Sequence, residues 1–523
     1  MNTTLSRSLS RIDVALLASI IILALVARAL PGPRTIDDAF ITFRYSRNIV
    51  EGQGFVYNPG SQVLGTTTPL YTVLMAAISA ILRGQDFQLY AIAVNALADA
   101  GTAALLFLLA LRLTGNRWIA ALLGALWAIA PQSVTFAVGG METSLNIFWM
   151  IGAVWLYVTD RPVWMGVFAG LGFLTRIDAV IWIGPLFAYQ LVERWLATRG
   201  KPRAERIPWQ VWLVFVVTLI PWFVFSLSYF GSPFPHSLTA KSVAYVVPPA
   251  SALVQFIRIY STPFFEFETF GSNGAMVGSV LYLILSLIGI SYAARRLPRL
   301  LPLLIYPWLY MAIFSIANPL LFRWYMVPPL PALMLGIVVG AWALVAGFQR
   351  QQRTTRWITP AAVGALAILW GGMSLHAWTL TPDHGPNRPA PTMAWHKIEL
   401  LYQQVGTELR DQDGVTPETR VASADIGAIG YFSRATIIDT VGLVTPELST
   451  YYPVPPSLIV QGQNYAIPPK LITDTQPDYF VTMEAFVRLG LEKDAAFKAE
   501  YGDPFKKIPT DFYGTDMRVY KRQ

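Results

Sequence analysis

The chain has 523 residues, 54% hydrophobic, 13% aromatic and only 13% charged, with mean hydropathy +0.46. Soluble domains average about 25% charged residues, so a purely cytosolic globular protein is excluded, as is disorder in so aromatic a chain. It has no cysteine, which removes disulfide, thiolate-zinc and iron–sulfur chemistry, and its net charge of +8 is uneven: 25 Lys+Arg face 13 Asp+Glu up to residue 380, then 14 face 18.

A spanning helix needs about 20 mostly apolar residues. Such runs are read at 13–31, 88–111, 117–133, 143–159, 163–175, 177–193, 210–230, 276–294, 300–317, 325–347 and 357–379, eleven in all. The run at 69–82 is too short and reads as interfacial or re-entrant. With it left out, the clusters Arg7/Arg11, Arg112/Arg117, Arg161, Arg194–Arg206, Arg295/Arg296/Arg299 and Arg350/Arg353/Arg356 all fall on one side. Basic short loops face the cytoplasm. The expectation is a multi-pass protein of the plasma (inner) membrane with a cytoplasmic amino terminus, a long first outer loop at 32–87 and an extracytoplasmic domain at 381–523. Positive charge set between apolar runs marks orientation and excludes nucleic acid as a partner.

The first outer loop carries Asp37 and Asp38 ahead of a short helix at 39–51, with turns at Gly52, Gly54 and Asn58-Pro59-Gly60. One aspartate suffices to complement a helix dipole; the second is surplus, and adjacent carboxylates suit a general base with an electrostatic or metal-binding neighbour. Within the second span, Asp99 and Asn95 share a face, which fits a hydrogen bond between helices. The four histidines, His236, His376, His384 and His396, form no paired metal motif. After a Pro-rich linker, a helix at 394–411 and short runs at 419–424, 435–439, 478–482 and 517–521 read as a small α/β domain. Asp425 and Asp439 flank the glycines at 427–430, which read as a strand–helix turn rather than a phosphate cradle. Trp395, Tyr451 and Tyr452 offer rings for sugar stacking or for packing.

Several blocks in order carry a resemblance: DDAFITFRYSRNIVEGQGFVYNPG from Asp37, GMETSL at 140–145, LTRID at 174–178, GSPFPHSLTAK at 231–241, FRWYMVPPLP at 322–331 and SADIGAIGYFSRATIIDTVGLVTPEL at 423–448. Together they resemble lipid-linked-sugar glycosyltransferases of the GT-C fold, in particular actinobacterial cell-wall arabinofuranosyltransferases and uncharacterised bacterial relatives. The resemblance implies a polytopic helical membrane enzyme with an extracytoplasmic α/β domain. It would transfer sugar from a polyprenyl-phosphate donor to a glycan or lipid acceptor. By carry-over, Asp38 or Asp37 is the base and Glu142 a second acidic position. The sequence departs from the family's pattern at His236 and at TTTPLY after Gly65.

Transfer builds negative charge on the departing phosphate, so cations should hold it. Arg176, Lys241 and Arg323 are the candidates. Arg323 could instead snorkel at a helix end, and Asp178 could simply neutralise Arg176. Arg44 and Tyr45 on the loop helix, with His236, join the substrate-binding candidates; Arg44 and Arg47 alternatively contact lipid headgroups. No cofactor is required; Mg or Mn could sit between carboxylates and phosphate oxygens. Competing readings are a lipid-linked-saccharide transporter or flippase, and a non-catalytic envelope-assembly protein.

Overall fold

The computed structural model describes residues 9–200, 202–265, 267–351, 358–379, 390–391 and 396–523. Arg7, Arg353, Arg356, His384, Trp395 and nearly all of the Pro-rich linker lie outside them. All eleven expected runs fall on helices. Fewer of these helices are full spans. Among the described residues six are long and apolar enough to cross a membrane: Arg11–Ala29, Phe87–Thr114, Trp209–Phe230, Gly271–Arg296, Pro298–Ala317 and Arg323–Gly347. Arg117–Ile129 and Pro131–Val138, bent by 43°, make a seventh if taken as one span.

The shortfall has a geometric cause. Thr143–Val158 has 16 residues and Pro162–Thr175 has 14. At about 1.5 Å per residue they reach about 24 and 21 Å, short of a ~30 Å hydrocarbon layer. Both stop where the chain turns to present polar side chains, Glu142 before the first and Arg176 after the second. The run at 357–379 is also broken, by a π-turn at Ala367–Gly371.

Charged residues divide between the two ends of the same helices. Glu142 and Arg176 meet at one end of the 143–158 and 162–175 helices. At their other ends Arg299 pairs with Asp160 and with Glu193. Elsewhere Arg28 and Asp99 form a buried ion pair at 3.0 Å, with Ser144 also donating to Asp99 at 2.9 Å. Arg28 further donates to the Ala24 and Ala128 carbonyls and to Ser133. Asn95 instead donates to the carbonyls of Ala137 and Met141. Small residues let helices touch backbone to backbone: a Cβ on Gly289 would lie 2.0 Å from the Gly336 oxygen, and one on Gly340 1.9 Å from the Leu285 oxygen.

The carboxy-terminal domain, called the outer domain after its expected side, is a five-stranded mixed sheet. Arg420–Ser423 lies between Thr436–Asp439 and Tyr479–Met483, parallel to both. Asp516–Lys521 runs antiparallel beside Tyr479–Met483, and Lys506–Pro509 closes the edge. Tyr479–Met483 is buried along its whole length, as expected of a strand covered on both faces. The helix His396–Asp411 buries Ile398, Tyr402, Val405 and Leu409 on one side.

Candidate active site

The first outer loop and the outer domain hold each other through helix ends. The loop helix, Asp37–Val50, has Ile36 at its N-cap and no side chain of its own to cap it. Its exposed N–H groups need acceptors; the Asp37 N–H donates to Glu399 Oε1 at 3.0 Å. In return the Asp37 carboxylate accepts the N–H groups of Gly427 at 2.8 Å and Ala428 at 2.7 Å, where the outer-domain helix Gly427–Ser433 begins. Gly427 is required for this approach, because a Cβ there would lie 1.8 Å from the Asp37 carbonyl oxygen. Asp37, one of the two candidate bases, therefore has both carboxylate oxygens occupied by backbone donors.

Asp38, one residue further round the helix, faces a cleft. Lys241 Nζ lies 3.4 Å from its Oδ2 and 4.9 Å from the Phe322 ring centre. Three adjoining chambers share these groups. Lys241 lines all three, Asp38 lines the first and third, and Arg176 the second and third. The first lies against the outer domain and is walled by Asp37, Glu399, Tyr402 and Asp425. The second, about 580 Å³, has an apolar rim that includes Ile177, Val180, Phe314, Leu320 and Leu321. The third, about 80 Å³, is lined by Thr42, Thr66, Thr67, Thr68, Ser237 and Glu142, among others. The Ser237 hydroxyl, in a residue only 6% exposed, has no partner among the described residues.

Arg176 is fixed from three sides. Nη1 donates to Glu142 at 2.7 Å, and Nε and Nη2 donate to the two Asp178 oxygens at 2.9 and 3.0 Å. Tyr310 donates to Asp178 at 2.8 Å, and the Tyr325 ring lies 4.8 Å from the guanidinium. A guanidinium has five N–H bonds; these contacts use three, so two remain for a ligand in the chambers it lines.

The acids are crowded. Burial, then Asp425 and Asp38, push the Asp37 carboxyl up to about 8, against the lowering effect of the Ala428 and Gly427 N–H groups. Burial and Asp38 raise Asp425 to about 6, although Tyr402 donates to it at 3.0 Å. Glu399 is held well above the usual carboxylate range by burial and Asp37. Lys241 shows the opposite balance: burial lowers its pKa, but Asp38 outweighs that and the net shift is upward. Asp439 accepts the N–H groups of Val441, Leu443 and Val444 and so shapes the turn that brings Leu443 to the cleft.

The remaining candidates sit away from the three chambers or face into the fold. Arg44, 1% exposed, donates to the carbonyls of Tyr57, Gly430 and Ala435 and to Asn58 Oδ1. It is a strut between loop and outer domain, not a substrate ligand or a lipid contact. Tyr45, fully buried, donates to the Val63 carbonyl and accepts the Gly65 N–H. Arg47 is 5% exposed and donates to the Tyr431 carbonyl, so it too is turned inward. His236 is exposed and outside the three chambers. Arg323 also lines none of them; its neighbours Phe322, Trp324 and Tyr325 do. Among the described residues no group of three or more His, Asp or Glu is placed to hold a metal ion. Glu399, Tyr402, Tyr310 and Tyr325 are not among the candidates named from the sequence. The signals available were a glutamate on the buried face of an amphipathic helix and the aromatic cluster beside Arg323.

The whole architecture has relatives of known structure. It matches an archaeal oligosaccharyltransferase, AglB from Archaeoglobus fulgidus, solved with an inhibitory peptide and a dolichol-phosphate. That likeness has a TM-score of 0.56 and 13% identity, over 98% of this chain and 74% of the other. It also matches ArnT from Cupriavidus metallidurans bound to undecaprenyl phosphate (TM-score 0.51, 16% identity) and in the apo state (0.53, 15%), each over 97% of both chains. In sequence, 244 residues are 25% identical to a terminal β-(1→2)-arabinofuranosyltransferase of Corynebacterium glutamicum. The match covers 40% of this chain and about a third of that relative's length. Residues 393–520 match a family described as a domain of unknown function (DUF8728). The structural likenesses establish the GT-C fold, a multi-pass membrane body joined here to an α/β domain.

Proposed function

Starting from that fold, we propose that the protein transfers a sugar from a polyprenyl-phosphate carrier to an acceptor on the extracytoplasmic side of the plasma membrane. The observation that carries the reading is the meeting of Asp38, Lys241 and Arg176 where three chambers join. The apolar rim of the large chamber suits a lipid chain, and the two cations at its inner end suit a phosphate. The small hydroxyl-lined chamber suits the sugar. Both neighbours solved with a polyprenyl phosphate share this fold.

In this reading Asp38 takes the proton of the acceptor hydroxyl as its oxygen attacks the anomeric carbon. The bond from that carbon to the phosphate oxygen breaks, and the electron pair leaves on the lipid phosphate. Lys241 and Arg176 gain attraction as that charge grows, which lowers the barrier rather than merely tightening binding. Asp37 positions the loop helix from which Asp38 projects.

The test is transfer of radiolabelled sugar from polyprenyl phosphate by purified protein. Asp38→Asn should lose roughly 10²–10⁴ of the rate with donor binding retained. Asp37→Asn should mainly lose stability. Full activity of Asp38→Asn at equal folded yield excludes the proposed base, and lipid flipping without transfer excludes the reaction.

A further inference from the structure

The end of the helical body opposite the cleft has a charge pattern of its own. Arg299 there is paired with Asp160 and Glu193, and Arg117 with Asp13 at 3.2 Å. The hairpin that joins the helices Val180–Ala197 and Trp209–Phe230 differs from both. Between residues 194 and 206 it carries Arg194, Arg199, Lys201, Arg203 and Arg206 against one acid, Glu205. Arg194 and Arg199 are exposed. The two helices pack through Phe187 and Phe215, with ring centres 5.3 Å apart. Arg194 Nε donates to the Glu205 carbonyl at 2.9 Å and so closes the hairpin at its base. Five cations are thereby gathered in one short loop, where their fields add.

A second observation fixes the depth of that loop. Among the described residues the exposed tryptophans are Trp118, Trp164, Trp195 and Trp209, each between 47 and 60% exposed. All four lie at this same end. Trp118, Trp164 and Trp209 begin or nearly begin their helices, and Trp195 lies in the last turn of its own. Tryptophan gathers where hydrocarbon gives way to lipid headgroups, so the four mark that plane. On the hydrocarbon side of it Val192, Leu213 and Val216 are exposed and apolar. Trp195 and Trp209 stand at the two feet of the hairpin, which puts residues 198–208 just beyond the plane, level with headgroup phosphates. The Arg199 guanidinium lies 5.4 Å from the Trp195 ring centre, at the same level. A zwitterionic headgroup brings no net charge to this loop; an anionic one does.

We propose that the hairpin at 194–209 is a docking surface for anionic phospholipid headgroups, which gather around it in preference to zwitterionic ones. Its occupant is the membrane surface itself, met through the five cations and held at depth by the two flanking tryptophans. The exposed apolar faces of both helices continue directly into it. The assignment concerns the far end of the molecule from the cleft and stands or falls independently of the transfer reading.

The chain has no cysteine, so Ala197→Cys carries a single donor fluorophore at the foot of the hairpin. The full-length protein is reconstituted in bilayers of about three parts phosphatidylcholine to one part phosphatidylglycerol. Energy transfer is read to a trace of either lipid bearing the same acceptor on its acyl chain. Transfer to labelled phosphatidylglycerol should exceed that to labelled phosphatidylcholine at least about threefold at low salt, less than the roughly fivefold that one fully effective surface cation supplies. The ratio should fall as sodium chloride is raised. Arg199→Gln, Lys201→Gln and Arg203→Gln together should bring it to about half or less, with transfer to phosphatidylcholine unchanged. A ratio of one in the unsubstituted hairpin, or a preference that survives the triple substitution, overturns the assignment. Loss of transfer to both lipids would mean that the triple variant misfolds; the salt series then decides, and a ratio unmoved by salt overturns the proposal. Sodium phosphate and sodium chloride at equal ionic strength should act alike. A preference abolished by phosphate alone would make the loop a site for soluble phosphate and overturn the lipid assignment.

Discussion

Replacing Gly427 by alanine tests the joint between loop and outer domain. The added methyl would sit 1.8 Å from the Asp37 carbonyl oxygen, 2.5 Å from its carbon and 2.7 Å from the Asp37 Cγ. None of these is the free end of a flexible side chain, so the two helices must separate by more than an ångström. That stretches the bonds of 2.8 and 2.7 Å from Gly427 and Ala428 to the Asp37 carboxylate. With the Asp37 carboxyl pushed up to about 8, these are largely bonds to a neutral group, which contribute about 0.5–1.5 kcal/mol each, so losing both costs about 1–3 kcal/mol. The assay is thermal unfolding of purified protein in detergent, paired with limited proteolysis of the outer domain. Gly364→Ala is the control, because nothing lies within 4 Å of a Cβ there. The Gly427 variant should melt well below both wild type and control and release the outer domain to protease. Identical melting and proteolysis would refute the interlock as a contributor to stability.

Three further outcomes are expected. Arg44→Ala leaves three carbonyls and Asn58 without their buried donor and should lower stability by about 1–3 kcal/mol for each acceptor that water does not reach, while the folded fraction keeps its KM for donor; a raised KM at unchanged stability would restore the substrate role. Arg176→Lys cannot reproduce the two-pronged Asp178 contact and should raise the dissociation constant for undecaprenyl phosphate at least about tenfold, as should Lys241→Ala; unchanged titrations would remove the phosphate site. Asp425 titrates at about 6 in the folded protein against 3.8 for the free side chain. Between those values the folded state holds more protons than the unfolded chain, so stability is fully present below 3.8, falls as pH rises through the window and is lost above about 6. The melting midpoint of wild type should therefore drop relative to that of Asp425→Asn between about pH 4 and 7; parallel curves would refute it.

Long apolar runs were legible because each span must satisfy its own backbone, so hydrophobicity alone marks it. The loop helix was legible too, from two acids followed by aromatics. What escaped was any contact between distant parts of the chain. Arg44 and Tyr45 looked like surface residues of an outer loop, since nothing local says that a domain beginning some 350 residues later covers them. Glu399 reads as one polar residue of an amphipathic helix until its partner at Asp37 is known. Asp37 and Asp38 cannot be ranked by composition; one turns to the Gly427 helix and the other to Lys241 only because of how the loop helix is docked. The edge strand Lys506–Pro509 was missed because two lysines and a proline give no apolar alternation, which is how sheet edges are commonly protected.

The exchange of helix ends between Asp37 and Gly427 has a consequence for biosynthesis. The loop helix leaves the ribosome early, but the groups that cap it, Glu399 and the surface of the 427–433 helix, are made in the last quarter of the chain. Asp38 is held by a helix that stays uncapped until then. During insertion the protein is a set of spans without a finished cleft, and on the transfer reading proposed above a carrier lipid meeting it finds no phosphate site paired with a base. On that reading activity begins as one event, when the outer domain closes onto the first loop. A chain cut short before residue 427 should be inserted yet inert, rather than partly active.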